Sequence, residues 1–250
     1  MSTLSTERVQ FEAALLAILG GMDTGAGSGA GMGTTVPTRA TAIEYVKAKL
    51  DELIPTGEGV SFALSSSPNV TDPLDLLINA HLDECTKDVI LSAPLSVLLP
   101  TASSITTGTA YTDATTGYIP LPANFLRLSV LKMADWLRQI EVAITVNDPK
   151  YKKQSTVLRG GISKPVAVLT WKNISGAPTR ILEYYSILAS HSIDKLLYIP
   201  ETTAENFITA NPNLLDSLAW MCASKIMLIT GMLNESKLAQ ERVIQSYYNL

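Results

Sequence analysis

The sequence predicts an α+β fold in which helices from both ends of the chain form a bundle and an antiparallel β-rich region is inserted between them. Three patterns support this prediction. Apolar residues follow a helical period up to about residue 95, a period near two between residues 96 and 200, and a helical period again to the end. We therefore expect an N-terminal helix with a glycine-rich loop (1–36), a helical hairpin (37–95), the β-rich insertion (96–200), and C-terminal helices packing on the N-terminal ones (201–250).

The first part combines one amphipathic helix with a segment of small residues. Residues 3–19 place four apolar side chains on one helical face: Phe11, Leu15, Ile18 and Leu19. Residues 20–35 are mostly Gly, Ala, Ser and Thr, which bury little surface. We expect this segment to be disordered in the free subunit and to become ordered against a neighbour.

The second part contains two amphipathic helices. Thr41 and Glu44 have the spacing of a capping box, and the apolar residues that follow end near Pro55: Ile43, Val46, Leu50, Leu53 and Ile54. The next helix is predicted to begin with Asp72 as its cap and Pro73 in the first helical position. Its apolar face runs until Pro94 and comprises Leu74, Ile78, Leu82, Cys85 and Val89.

The third part is predicted to be mainly strands. Four segments carry β-branched, aromatic or alternating residues: 126–133, 140–145, 165–171 and 179–185. In the second of these, Ile140, Val142 and Ile144 alternate with less apolar neighbours. Asp148 and Pro149 indicate the start of a short helix, and the pair Gly160 and Gly161 indicates a turn.

The last part returns to helix. Thr202 with Glu205 is predicted to cap one turn, and Asn211 with Pro212 opens a longer segment. That segment has the apolar face Leu215, Leu218, Cys222, Ile226 and Ile229. After Gly231 a final helix carries Leu238, Val243, Ile244, Tyr247 and Tyr248. We expect residues 236–250 to lie in an interface, and deletion of 237–250 to leave a folded core that no longer docks.

Composition favours a protein that makes extensive contacts. Charged residues are 17% of the chain and apolar ones 46%, with a mean hydropathy of +0.20. The apolar runs are too short or too interrupted for a membrane span, and the opening residues do not resemble a secretory leader. Subunit contacts then account for the low charge. The net charge is −4, and the largest basic group, Lys150, Lys152 and Lys153, is small for a nucleic-acid-binding surface of the usual kind.

No catalytic, cofactor-binding or metal-binding residue is predicted. The glycine-rich run at residues 25–31 follows a helix and lacks the Gly-Lys-Ser/Thr ending of a phosphate loop, and Ser28 lacks the spacing of a nucleophile elbow. The two histidines, His81 and His191, have no evident partners for catalysis or metal binding, although Ser192 and Asp194 follow His191 closely. We expect His81 or His191 to be replaceable by Gln without loss of assembly.

Other candidate groups have simpler structural interpretations. The pair Asp72 and Asp75 and the pair Asp83 and Glu84 fit helix caps or exposed faces. The two cysteines lie among apolar neighbours and are predicted to be small buried residues: Cys85 and Cys222. The aromatic residues are predicted to lie in the core or in subunit interfaces: Tyr184, Tyr185, Tyr247, Tyr248, Trp136, Trp171 and Trp220.

The middle of the chain carries the most specific motif. Residues 118–128 read Tyr-Ile-Pro-Leu-Pro-Ala-Asn-Phe-Leu-Arg-Leu, and later residues of the pattern are Trp136, Asp148-Pro149-Lys150-Tyr151, Gln154, Gly160-Gly161 and Pro165. This order resembles the head-to-tail connector adaptors of short-tailed bacteriophages, in particular the ring proteins of crAss-like phages. In those proteins a Leu-Pro-x-x-Phe/Leu-x-Arg segment is flanked by an N-terminal helical hairpin and a C-terminal helix, which residues 218–228 resemble here. The resemblance covers roughly residues 37–250 in element order.

The resemblance implies a structural virion protein and not an enzyme. It implies a homo-oligomeric ring, a dodecamer, that docks on the portal protein above and an adjacent tail ring protein below, without cofactors or membrane contact. DNA would pass through it as cargo, and the ring would assemble in the host bacterial cytoplasm and end in the connector and tail of the virion. The alternatives are another phage structural component, such as a tail hub or capsid-associated protein, and a ligand-binding enzyme.

Overall fold

A computed structural model describes residues 37–53, 72–112, 115–154, 161–188 and 190–248. The predicted helix at 3–19 and the glycine-rich segment at 20–35 lie outside these residues, as do Ser28 and Gly160. Every element named below lies in the compact unit Thr38–Leu250.

The first described helix, α1, spans Arg39–Leu53 and buries Ala42, Val46 and Leu50. Its cap lies three residues before the predicted one. The Thr41 backbone N–H donates to Thr38 Oγ1 at 3.3 Å, and the Thr38 N–H donates to Thr41 Oγ1 at 3.2 Å. The prediction of Thr41 as the cap was therefore wrong, because the Thr38 hydroxyl accepts from one of the free N–H groups of the first turn, that of Thr41, and Thr41 serves as the reciprocal partner.

The second helix, α2, spans Pro73–Ser92 and begins where the sequence predicts. Asp72 Oδ1 accepts a hydrogen bond from the Leu74 N–H at 2.9 Å, and Pro73 occupies the first turn, where a missing N–H costs nothing. The predicted apolar face is buried, from Leu74 to Val89. A single 3₁₀ turn, Leu95–Val97, then leads into the strands.

The strands form two antiparallel sheets. A three-stranded sheet has the order β1-β7-β4, with β1 at Thr101–Ala102, β4 at Phe125–Met133 and β7 at Ile193–Pro200. A four-stranded sheet has the order β2-β3-β6-β5, with β2 at Thr109–Ala110, β3 at Gly117–Pro120, β5 at Ala167–Ile174 and β6 at Ala177–Tyr184. The antiparallel β-rich insertion is thus confirmed.

One predicted strand is wrong. Segment 140–145 forms only two isolated bridges, Ile140 with Leu131 and Ile144 with Val168, and Val142 is 72% exposed. Alternation of apolar residues does not by itself supply a continuous partner strand. Four of the described strands lie outside the predicted segments: β1, β2, β3 and β7.

The predicted short helix is present as α3, Pro149–Lys153, with the Lys150 N–H bound to Asp148 Oδ1 at 2.7 Å. Near the predicted glycine turn, Gly161 has a φ of 61° and starts a 3₁₀ turn, Gly161–Ser163. A side chain would be strained at that backbone conformation.

The C-terminal helices complete the bundle. They are α4 at Ala204–Ala210, α5 at Leu215–Ile229 and α6 at Leu233–Tyr248, with a 3₁₀ turn at Pro212–Leu214 leading into α5. Thr203, and not the predicted Thr202, caps α4 by accepting from the Asn206 N–H at 3.4 Å. Gly231 separates α5 from α6 with a φ of 85°. Helix α5 lies at the centre, packing against α1, α2 and α6.

The core has two hydrophobic clusters. One lies among the helices and includes Leu82, Phe207, Leu218 and Trp220. The other lies among the strands and includes Ile119, Leu131, Leu182 and Trp136. Ile229, predicted for the apolar face of α5, is 51% exposed because it lies at the end of that helix.

Candidate functional site

The two histidines occupy different settings. His81 Nδ1 lies 3.5 Å from Glu84 Oε2 on the surface of α2. His191 Nδ1 lies 2.6 Å from the Tyr184 hydroxyl, and burial raises the pKa of Tyr184 to about 12. Asp194, which follows His191 in the sequence, pairs with Lys132 Nζ at 2.5 Å. The fold therefore does not bring His191 and Asp194 together as a catalytic pair.

The paired carboxylates connect helices. Asp75 and Glu84 form ion pairs with Lys47 and Lys225 respectively. Asp83 accepts from Arg39 Nη1 at 2.8 Å and from the Ala204 N–H at the start of α4 at 2.8 Å. The hydrogen bond from Arg39 is the main reason that the pKa of Asp83 lies below its usual value. Asp83 and Glu84 were predicted to lie simply on an exposed face. In the structure Asp83 joins α2 to α1 and α4, and Glu84 joins α2 to α5.

Both cysteines are free and buried, as predicted. A hydrogen bond between Cys222 and Cys85, followed by burial, raises the pKa of the Cys222 thiol, so this thiol stays protonated. Within the described ranges, no group of three or more His, Cys, Asp or Glu side chains has the arrangement of a metal site.

Four tyrosines cluster beside the four-stranded sheet: Tyr111, Tyr118, Tyr151 and Tyr185. Glu183 accepts hydrogen bonds from the Tyr111 hydroxyl at 2.5 Å and from the Tyr185 hydroxyl at 2.9 Å. Lys172 Nζ lies 4.0 Å and 4.3 Å from the ring centroids of Tyr111 and Tyr118. Burial and the Glu183 hydrogen bonds raise the pKa of Tyr111 and of Tyr185. The hydroxyls and ring faces of this cluster are thus largely used within the subunit.

The cluster also anchors α3. The ring of Tyr151 in α3 meets the ring of Tyr185 edge to face, with the centroids 6.3 Å apart. Sequence analysis missed this arrangement because its members are spread from Tyr111 to Tyr185 and come together only through sheet pairing.

A cleft of about 750 Å³ lies beside α3. Its walls come from segment 139–144, from α3 and from residues 164–167. Its polar lining is Gln139, Glu141, Lys150, Lys153, Gln154 and Lys164. The fold thus adds Lys164 to the small basic group that the sequence shows at residues 150–153.

Arg127, the arginine of the sequence motif, joins the sheets to the helical bundle. Its Nη1 donates to the Ile90 carbonyl at 2.8 Å and to the Ala93 carbonyl at 2.6 Å, at the end of α2. Those carbonyls have no partner in the following turn of helix, so a guanidinium is well suited to satisfy both. The motif arginine therefore has a structural role in this chain.

Large apolar side chains also remain on the surface. Among the described residues, fourteen such side chains are exposed, on helices, strands and connecting segments alike. Six of them lie at the end of α5 or along α6: Leu228, Ile229, Leu233, Leu238, Ile244 and Tyr248. Of the tryptophans, Trp136 and Trp220 lie in the core, as predicted, whereas Trp171 on β5 is 67% exposed.

The final helix has two distinct faces. Its inner face packs in the bundle through Ala239, Val243 and Tyr247. Its outer face carries the exposed residues Ile244 and Tyr248, together with Leu238. The interface predicted for residues 236–250 stays a prediction, and within 236–248 the apolar side chains exposed for it are those of the outer face.

No protein-family model matches the sequence, and no curated protein is significantly similar to it. In the part of the chain that the structure describes, no helix is both long and apolar enough to cross a membrane. The assignment to connector adaptors therefore stays a prediction from the sequence motif and the order of elements.

Proposed function

We propose that this protein is a ring-forming structural protein of a tailed bacteriophage virion, an adaptor between the portal and the tail. In this proposal the subunits form a homo-oligomeric dodecamer, the portal and an adjacent tail ring bind its two ends, and DNA passes through it. The observation that carries the proposal is the apolar surface left exposed on both the helical and the β-rich parts.

The apolar edge formed by α5 and α6 has a regular arrangement. Ile244 and Tyr248 lie about three and four helical turns beyond Leu233, on the same side of α6. Leu228 and Ile229 lie at the end of α5, just before the turn into α6. Because a contiguous apolar surface in water favours association, this edge suits contact with another protein chain.

The β-rich part offers a second apolar surface. Leu137, Val142 and Val146 are exposed on the chain between β4 and α3, and Trp171 is exposed on β5. A ring subunit uses unlike surfaces for its two neighbours in the ring, because head-to-tail contacts close a ring only when the two contacting patches differ. Two unlike apolar surfaces on one subunit meet that requirement.

The proposal can be tested with surface variants. The double variant Ile244→Ser, Tyr248→Ser removes apolar side chains that are 57% and 82% exposed, so the subunit core should stay intact. Sedimentation velocity should show loss of the assembled species, while circular dichroism shows an unchanged fold. The control variant Asn234→Ser, Gln245→Ser changes exposed polar residues of the same helix and should assemble normally. Normal assembly of the apolar double variant would place the subunit contacts elsewhere and remove the main support for the proposal.

A further inference from the structure

The cleft beside α3 carries positive charge that the subunit does not neutralise. Within the described ranges, Lys150 and Lys164 line this cleft and form no ion pair. Two other lysines are neutralised within the subunit: Lys87 pairs with Glu201 at 2.5 Å, and Lys132 pairs with Asp194 at 2.5 Å. The two cleft lysines are therefore available to an anion from outside the subunit.

Helix α3 is held firmly although it is only five residues long. Asp148 caps its start, and the buried Gln154 at its end donates through Nε2 to the Lys150 carbonyl at 2.9 Å. Tyr151 fixes its inner side against Tyr185. Lys150 is thus presented from an anchored backbone, while its own side chain is exposed.

The cleft lining has little negative charge to compete with a bound anion. Among the described residues that line the cleft, Glu141 is the one carboxylate, and Gln139 Nε2 donates to Glu141 Oε1 at 3.2 Å. Apolar residues Ile140, Val166 and Ala167 complete the wall. Among the described lining residues, the unpaired lysines Lys150 and Lys164 and the amides Gln139 and Gln154 thus face one acidic group, which favours phosphate groups.

We propose that this cleft contacts the phosphate backbone of double-stranded DNA, an inference that rests on the proposed function as a ring through which DNA passes. A site for a single enclosed phosphate would have buried donors that converge on one point. Lys150 and Lys164 are instead exposed, which suits the row of phosphates along a nucleic-acid backbone. Lysine ammonium groups are strongly hydrated and mobile, so they provide weak, sequence-independent contacts. Such contacts guide a moving duplex without stopping it.

Fluorescence anisotropy with a random-sequence DNA duplex tests this inference. The double variant Lys150→Gln, Lys164→Gln should bind about tenfold more weakly than the unsubstituted protein, with a salt slope smaller by about two. Glu141→Gln should bind more tightly because it removes the opposing charge. The matched control Lys195→Gln removes one exposed lysine from β7, outside the cleft, and should leave binding unchanged.

Equal DNA binding by the unsubstituted protein and the double lysine variant would overturn the inference, and so would an equal loss in Lys195→Gln. Displacement of DNA by millimolar inorganic phosphate at constant ionic strength would also overturn it, because that result indicates a small-anion site. The mass of each sample separates this inference from the proposed function. Lysine-dependent binding by a monomer supports the cleft assignment while contradicting the ring, and a ring that binds no DNA contradicts the cleft assignment alone.

Discussion

The hydroxyl groups of Ser92 and Tyr247 lie 2.9 Å apart although 155 positions separate them in the sequence. This contact joins the end of α2 to the end of α6. Ala239, Val243 and Tyr247 all belong to the helical core. Deletion of residues 237–250 is therefore expected to open the bundle, in contrast to the sequence-based expectation that a folded core would remain.

Substitution of Tyr247 measures how much the last helix contributes to the fold. Tyr247→Ala removes a buried ring and should lower the free energy of unfolding by about 3 kcal/mol. Tyr247→Phe keeps the ring and loses only the hydroxyl contact with Ser92, so its cost should be about 1 kcal/mol. Urea unfolding followed by circular dichroism provides both values. Equal stability of Tyr247→Ala and the unsubstituted protein would show that α6 is not part of the core.

Arg127 is expected to stabilise the junction between the sheets and the bundle. Arg127→Ala leaves the Ile90 and Ala93 carbonyls without their donor and should cost about 2 kcal/mol in the free energy of unfolding. Arg127→Lys keeps the charge but lacks the planar donor group, so an intermediate loss is expected. If Arg127→Ala unfolds at the same urea concentration as the unsubstituted protein, the junction does not depend on this side chain.

The ion pair between Arg39 and Asp83 should make stability depend on pH. Because the hydrogen bond from Arg39 holds the pKa of Asp83 below its usual value in the folded state, the folded protein binds this proton less readily than the unfolded chain. The stabilisation is complete above the ordinary Asp pKa of about 3.9 and is lost as the pH falls through the lower, folded-state pKa. When the pH is lowered from neutral to below the folded-state pKa of Asp83, the free energy of unfolding should therefore fall less in Asp83→Asn than in the unsubstituted protein. If the free energy of unfolding, plotted against pH, gives parallel curves for the two proteins, the ion pair between Arg39 and Asp83 is not the source of the pH dependence.

The two histidines should respond differently to the same substitution. His81→Gln changes a partly exposed side chain and should be nearly neutral. His191→Gln disturbs the 2.6 Å contact with the buried Tyr184 and should cost about 1 kcal/mol in thermal or urea unfolding. Assembly should survive in both variants. A larger loss of stability in His81→Gln than in His191→Gln would contradict the surface position of His81 and the contact between His191 and Tyr184.

Local sequence signals predicted the helices well. Asp72 and Pro73 mark the start of α2 because a cap and a first-turn proline act within a few residues. The caps of α1 and α4 were missed by three residues and one residue, since neighbouring threonines, Thr38 beside Thr41 and Thr203 beside Thr202, offer equivalent hydroxyls. Which of them acts depends on where the helix packs.

Strand pairing and the lysine cleft depend on distant residues. Segment 140–145 alternates yet has no continuous partner, whereas β7 was missed because the adjacent residues Asp194 and Lys195 interrupt its apolar pattern. Lys150 and Lys164 line one cleft only because α3 and segment 164–167 are brought together by the four-stranded sheet. No spacing rule along the sequence identifies such a pair.

Mass photometry of the purified protein tests the central claim most directly. Twelve copies of the 26.9 kDa chain have a mass of about 320 kDa, and the ring proposal predicts a discrete species near that mass. The apolar double variant Ile244→Ser, Tyr248→Ser should shift the population toward the monomer. A single species at the monomer mass for the unsubstituted protein, unchanged when the concentration is raised, would contradict the account of this chain as a ring-forming subunit.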